Sequence, residues 1–439
     1  MKSRPSEWDK YLLGSALFLS LLVGGGTASG LISDTVVEVF AIVSTAAVFS
    51  QGTGQRSPHL IRWLLIMAVA LIGLQLIPLP IAMLSGVRPP LLQGVPWLSD
   101  ETSLRFISVG VGRTVECLLF VLAVAAFFLA VLRLRVDQVH ALLPFFFLGV
   151  ICNGLAGAIQ FSLSDDVAIK GLLPFTINAG LFANRNHFSA LLFVSIPFVV
   201  YYGLFRGHLL SGALGLVALL VLLLAAGSRA GTLIGLAITV ISVVFLSTRS
   251  RVSGFGIVAI FIGLSIYTMG AWTTLDAREV DPAFGRAEFA RTTIDGIKDN
   301  LVTGIGFGNF QKGYQIYEKE GMIYRFYVNH AHNDYLEIVF EGGIVAAFLI
   351  AFYLLLLTSA FVRNRREPLQ RAAFLSVFFL LVHSLVDYPL RTMALAMTFA
   401  FMNAIIFHKG FADRSAKKAN MVEVEHNGGK LLVPVEATS

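Results

Sequence analysis

The sequence predicts an all-α, polytopic integral membrane protein of about twelve transmembrane helices with one long outer loop, and three observations predict it. The 439 residues are 56% hydrophobic and only 14% charged, with a mean hydropathy of +0.76; too little polar surface remains for a soluble domain. Apolar runs of roughly 20 residues, the length that crosses a hydrocarbon core, recur along most of the chain. The basic residues gather in alternate connections, as the cytoplasmic enrichment of Lys and Arg requires.

The runs lie near 11–29, 33–50, 60–80, 114–132, 140–161, 187–205, 209–226, 230–247, 254–272, 337–361, 371–388 and 391–408. The second is the weakest, since Asp34 and Glu38 fall in its first turns. The first lacks a small-residue cleavage site and more spans follow, so it reads as a helix rather than a removed signal peptide. An inner N terminus puts Arg56 and Arg62, Arg133 and Arg135, Arg206, Arg249 and Arg251 on the cytoplasmic side. Arg363, Arg365, Arg366 and Arg371, and the basic tail, fall there too, so both termini are expected inside. The chain divides into N-terminal transmembrane helices (1–272), a long outer loop (273–336), C-terminal transmembrane helices (337–408) and a flexible cytoplasmic tail (409–439). Within the loop, Arg286 to about Lys298 has the pattern of a short amphipathic helix. No internal repeat is evident. Cys117 and Cys152 sit in apolar segments and suggest neither a disulfide framework nor a metal site.

Chemistry-bearing residues concentrate at the outer boundary. In His330-Ala-His-Asn-Asp-Tyr-Leu-Glu337, Asn333 or Asp334 can cap a helix starting near Tyr335, with Glu337 placed for a capping-box contact. His332 then precedes a helix N terminus, where the partial positive charge disfavours imidazolium and suits the ring to accept a proton. A loop role for both histidines, satisfying backbone groups, is equally open on local grounds; a zinc pair lacks a third ligand nearby. Arg229 (in Gly227-Ser-Arg-Ala-Gly231), Arg286 and Arg185 (in Asn184-Arg-Asn186) sit at the same depth, and guanidinium forks match phosphate oxygens. Interfacial snorkelling is the alternative for each. Asp387 and Arg391 read as a structural i,i+4 pair interrupted by Pro389. Gly304-Ile-Gly-Phe-Gly308 lacks the strand that a nucleotide-binding turn needs and reads as a loop turn.

Together these motifs resemble the O-antigen ligase/polymerase superfamily of bacterial inner-membrane glycosyltransferases, from about Phe182 to Arg391. The most specific element is His332-Asn333 followed after nine residues by Gly343. Asn184 and Asn186, Ser228-Arg229, Gly285-Arg286, the glycine run, and Ser384, Asp387 and Pro389 accompany it. The resemblance implies a metal-independent, cofactor-free transfer of a glycan from an undecaprenyl-diphosphate carrier on the periplasmic face of the inner membrane. It implies His332 as general base, Arg229, Arg286 and Arg185 as diphosphate ligands, and His330, Asn333, Asn184, Asn186 and Asp387 as supporting residues. Its partners are membrane lipid, the carrier-linked glycan and an acceptor, lipid A–core for a ligase or a carrier-linked glycan for an O-antigen or exopolysaccharide polymerase; no nucleic acid is implied. A secondary transporter or lipid flippase also fits twelve spans, but it calls for charges near the midplane or broken helices.

Overall fold

The computed structural model describes residues 6–28, 30–50, 57–80, 83, 104–162, 179–247, 285–319, 328–364 and 367–411, and the backbone of 421–426 and 429–434. Its long helices are α1 (Asp9–Val23), α2 (Ile32–Ser50), α3 (His59–Leu74) and α4 (Val111–Val131). The short α5 (Val136–His140) leads into α6 (Leu143–Ser162), and α7 (Arg185–Phe205), α8 (Leu209–Ala226) and α9 (Arg229–Ser247) follow. Beyond the loop helices α10 (Arg286–Asp299) and α11 (Phe310–Tyr317) come α12 (Asp334–Asn364), α13 (Pro368–His383) and α14 (Met393–Phe407).

Each run expected from the sequence coincides with one of these helices except 254–272, which lies outside the described residues. Among the described residues, seven helices are long and apolar enough to cross a membrane. α3, α13 and α14 are apolar but shorter. Local chemistry trims them: α13 ends at His383, and Pro389 then opens a 3₁₀ turn, Pro389–Arg391, instead of continuing the helix. The loop helix predicted at Arg286 to about Lys298 is α10.

Large apolar side chains such as Ile32, Leu210, Phe348 and Leu355 point outward, a surface that suits lipid and would aggregate in water. The core centres on α7, which packs against α8, α9 and α13 and is buried along most of its length. Pro197 interrupts the α7 ladder, and Ser376 Oγ of α13 donates to the nearby Val194 carbonyl at 2.6 Å. Polar ties close the end that holds Glu7 and His408. Arg135 pairs with Glu7 at 2.6 Å, and His408 Nε2 lies 2.8 Å from the Leu134 carbonyl.

Two short antiparallel pairs depart from the all-α expectation. β1 (Pro78–Pro80) pairs with β2 (Leu104–Phe106), and β3 (Met421–His426) pairs with β4 (Gly429–Pro434) with Met421 opposite Pro434. The second lies in the tail expected to be flexible. Its sequence holds the signal, since Asn427-Gly428 stands between the two strands.

One device shapes the opposite end. Inside α12, Gly343 adopts φ 65° and ψ −160°, breaking the helix, a conformation open to glycine alone. The freed carbonyls of Phe340 and Glu341 accept the amides of Ile305 (3.1 Å) and Gly306 (3.0 Å). Gln75 braces this junction, donating to the Glu341 and Thr303 carbonyls and accepting from the Phe307 amide. A Cβ on Gly304 would fall 2.1 Å from the Glu341 carbonyl oxygen. The glycine run is therefore a turn, as expected, and its work is to dock the outer loop into the break in α12. A small satellite core of Ile305, Phe310, Tyr314, Val328, Ala331 and Phe340 forms there, apart from the main core.

Candidate functional site

His332 ends the loop that enters α12. Its φ of +51° makes it the one non-glycine residue at positive φ among the described residues, a conformation that costs about 1–2 kcal/mol. The turn is held from both sides. Asn333 Oδ1 accepts the Leu336 amide (3.0 Å) as the helix cap, and its Nδ2 donates to the Leu385 carbonyl (2.9 Å). The His332 ring stacks on Phe289 of α10 (centroids 5.8 Å, planes 25° apart) and meets Tyr388 edge-on at 5.0 Å.

Its polar partner is Asp387. That carboxylate is fully buried, and its Oδ2 accepts from Asn186 Nδ2 and from Arg286 Nη2 at 3.2 Å. Its Oδ1 accepts the Tyr388 amide at 3.0 Å and faces His332 Nδ1 at 3.4 Å and His187 Nε2 at 3.8 Å. The last two contacts are ion-pair distances without hydrogen-bond alignment. Burial pushes the Asp387 carboxyl up, but the facing His187 and His332 imidazoles outweigh it and hold the group well below the usual carboxylate range. The expected Asp387–Arg391 pair does not form. The 3₁₀ turn between them sends the two side chains to different partners.

Arg391 turns instead to α12, where Asp334, Glu337 and Glu341 share one face at i, i+3 and i+7. Its Nη1 lies 2.8 Å from Glu341 Oε2 and 3.6 Å from Glu337 Oε1, and its Nε lies 3.7 Å from Asp334 Oδ1. Glu337 is not a capping-box residue. Its Oε1 pairs with His330 Nδ1 at 2.8 Å, and its Oε2 accepts the Ala331 amide at 2.9 Å. Burial opposes protonation of His330, but the Glu337 carboxylate overrides it and carries the ring above its ordinary range. His330 also stacks on Tyr388 at 4.1 Å. One tyrosine ring thus separates His330 with its glutamate from His332 with its aspartate, and burial pushes the Tyr388 phenol up to about 12.

The three arginines singled out in the sequence share a position: Arg185, Arg229 and Arg286 each begin a helix. A cation at the positive end of a helix is disfavoured by about 0.3–1 kcal/mol each, so three of them concentrate positive potential where an anion would be welcomed. Arg286 reaches the Asp387 cluster directly. Arg185 is exposed and stands between Asn184, whose Oδ1 caps α7 by accepting the Asn186 amide (2.8 Å), and Asn186, which reaches Asp387. Arg229 opens α9, capped by Ser228, whose Oγ accepts the Gly231 amide at 3.0 Å. Gly231 is pressed onto Ser189 of α7, where a Cβ would fall 2.4 Å from the Ser189 Cβ. The starts of α7 and α9 therefore lie side by side. Arg286 joins the His332 cluster through Asp387, while Arg185 and Arg229 stand at the starts of α7 and α9.

Residues 214–351 match the family described as O-Antigen ligase. This match, over about a third of the chain, supports the resemblance to the O-antigen ligase/polymerase superfamily. The matched segment carries Arg229, Arg286, His330, His332, Asn333 and Gly343, while Asn184, Arg185, Asn186 and Asp387 lie outside it. No curated protein matches the chain. Together with its apolar helices, the match supports a multi-pass membrane protein similar to enzymes of the O-antigen ligase/polymerase type.

The sequence reading missed several members of the cluster. His187 is buried, lies edge-on to Tyr388 at 4.7 Å and faces Asp387. Phe289 follows Arg286 by one turn of α10, so a single helix supplies both the guanidinium on Asp387 and the ring under His332. The i, i+3 spacing was the available signal for that pair. Nothing local marked Tyr388, whose importance comes from the rings that meet around it. Among the described residues, no three His, Cys, Asp or Glu side chains form a group that could hold a metal ion.

Proposed function

We propose that this protein transfers a glycan from an undecaprenyl-diphosphate carrier to a hydroxyl of an acceptor, at the periplasmic face of the bacterial inner membrane. The observation that carries the reading is the single carboxylate, Asp387, that faces His332 on one oxygen and holds Arg286 on the other. A candidate base and a candidate diphosphate ligand are thereby fixed relative to each other.

The chemistry follows from that arrangement. A ring whose Nδ1–H points toward Asp387 keeps Nε2 as the acceptor. His332 Nε2 takes the proton of the acceptor hydroxyl, and the oxygen attacks the anomeric carbon. The bond from that carbon to the diphosphate oxygen breaks, and its electron pair departs with the diphosphate. Arg286, with Arg229 and Arg185 at their helix starts, meets the charge that develops there. Diphosphate is a good leaving group, so holding and alignment are the main tasks of the protein. Asp387 is a positioning residue, with Asn186 and His187 fixing it in turn.

Ligase and polymerase readings share these residues and differ only in the acceptor. The test is transfer by purified protein in nanodiscs with carrier-linked glycan as donor. His332→Ala is expected to lower the rate at least 10²-fold while insertion and melting stay close to wild type. Full activity in that variant overturns the base assignment.

A further inference from the structure

His330 takes no part in the transfer chemistry above, yet both of its ring nitrogens are committed. Nε2 lies 3.3 Å from the Thr27 carbonyl oxygen, a group that accepts and never donates. Nδ1 lies 2.8 Å from Glu337 Oε1. The other Glu337 oxygen accepts the Ala331 amide at 2.9 Å, and Arg391 Nη1 stands 3.6 Å from Oε1. Those are the surroundings of an ionised carboxylate, which also accepts. Two acceptors require two N–H groups, so the ring is an imidazolium. It lies against the Tyr388 ring with centroids 4.1 Å apart and planes 29° apart, where the π face attracts a cation. Only 15% of the side chain is exposed.

His332 needs such a neighbour. The Asp387 carboxylate, 3.4 Å from its Nδ1, orients the ring but also favours its imidazolium, the form that cannot accept a proton. Around His332 and that carboxylate stand Tyr388, His187 of α7 and Arg286 of α10. Arg286 is 44% exposed, so water screens its charge. His330 is enclosed. The charged groups that line its cavity are Asp334, Glu337 and Glu341 of α12 with Arg391, Asp34 and Glu38 of α2, Arg113 and Glu116 of α4, and Lys312 of α11. Arg113 is paired with Glu116 and Arg391 with Glu341. His330 alone of this set stacks on the tyrosine that His332 meets edge-on. Both centroid distances end on one ring, so the two imidazoles lie within about 9 Å of each other, with an aromatic ring in place of water between them.

We propose that His330 is a fixed cation that opposes protonation of His332 across Tyr388 and so holds the base in its proton-accepting form. It touches no reacting atom and acts through His332, as a positioning residue. Asp387 and His330 then divide the work: one fixes the tautomer, and the other offsets the proton affinity that the carboxylate creates. The role in catalysis rests on the transfer reading above; the coupling of the two charges does not.

Full-length protein in nanodiscs is pulsed with diethyl pyrocarbonate across pH 5–9, and acylation of His332, which requires the neutral ring, is followed by mass spectrometry of its peptide. His330→Gln removes the cation, so a proton binds His332 more readily. The midpoint of acylation should rise by about one pH unit, the effect of a unit charge about 9 Å away at an effective dielectric of ~20. His330→Arg keeps the charge and a planar face for Tyr388, and its midpoint should stay within about 0.3 unit of wild type. The acid limb of kcat/KM for transfer should follow the midpoint in both variants. A midpoint unmoved by His330→Gln, or raised equally by His330→Arg, overturns the proposal. So does a loss of kcat at every pH with the acid limb in place, the mark of a merely structural residue. Should the glutamine variant fail to fold, nitrogen-15 histidine NMR decides. One ring with both nitrogens protonated at neutral pH should be present in the wild type and missing from His330→Arg, and a wild type without it overturns the proposal. The two readings fail separately. A shifted midpoint without any transfer leaves coupled histidines on a protein that is not this transferase, whereas transfer whose acid limb ignores His330 removes only the coupling.

Discussion

Asp387→Asn changes one charge and almost no volume, which makes it the sharpest probe of the cluster. The wild-type oxygens face two sets of groups: Oδ2 accepts from Asn186 and Arg286, and Oδ1 accepts the Tyr388 amide and faces His332 and His187. Asparagine has one carbonyl oxygen, so its NH₂ must face one of those sets. A buried donor left unsatisfied costs about 1–3 kcal/mol. The share from Arg286 is smaller, because its side chain is 44% exposed and solvent screens the pair. The kinetic effect should exceed the stability effect. With the NH₂ on the His332 side, the ring faces a donor in place of the carboxylate oxygen that favours its Nδ1–H tautomer, and a well-placed general base contributes about 10²–10⁴ in rate. In initial-rate assays in nanodiscs, kcat should fall roughly 10²–10³-fold while KM for the donor stays within about threefold. A kcat within threefold of wild type would falsify the positioning role. An unchanged kcat with a raised donor KM would move Asp387 to the service of Arg286 instead.

Three further outcomes follow from the same geometry. Arg229→Lys keeps the charge but loses the fork, and donor affinity should weaken about tenfold; retained affinity for undecaprenyl diphosphate would separate Arg229 from the diphosphate. Gly343→Ala forces a side chain into φ 65° with its Cβ 2.7 Å from the Leu301 carbonyl oxygen. It should cost about 1–3 kcal/mol, read as a lower melting temperature, and an unchanged melting curve would show that the break in α12 relaxes freely. His330 is carried above its unfolded value by Glu337, so its stabilising contribution is fully present below about pH 6.5. That contribution is lost as pH rises through the higher folded value. Melting temperature should therefore decline over that rise, and the decline should be smaller in His330→Asn; identical pH profiles would count against the pairing.

The fold and most of the site chemistry were legible for different reasons. Lipid imposes a single demand on every spanning segment, apolar side chains on a self-satisfied backbone, so the helix runs stand out one by one. Arg286, His332 and Asn186 were legible because charged or polar groups beside apolar runs are costly and therefore conspicuous. Partner choice was not legible. Asp387 and Arg391, four residues apart, look like a pair. Pro389 turns the chain between them and sends Asp387 to α7 and α10, while Arg391 goes to three carboxylates on α12.

Sequence alone determined that this chain is helical and apolar, that its candidate site residues stand beside apolar runs, and that His332-Asn333 precedes Gly343 at a fixed interval. Those are properties of composition, period and spacing, which the chain carries without folding. Only the tertiary structure decided what that interval is for. The nine residues span one helix segment from the Asn333 cap to the Gly343 break, and the glycine loop fills the break. It also decided that His332 faces Asp387 while His330 faces Glu337, with Tyr388 between them. It also brought Asn186 to Asp387, 201 positions away, and no local pattern encodes a separation that packing alone closes.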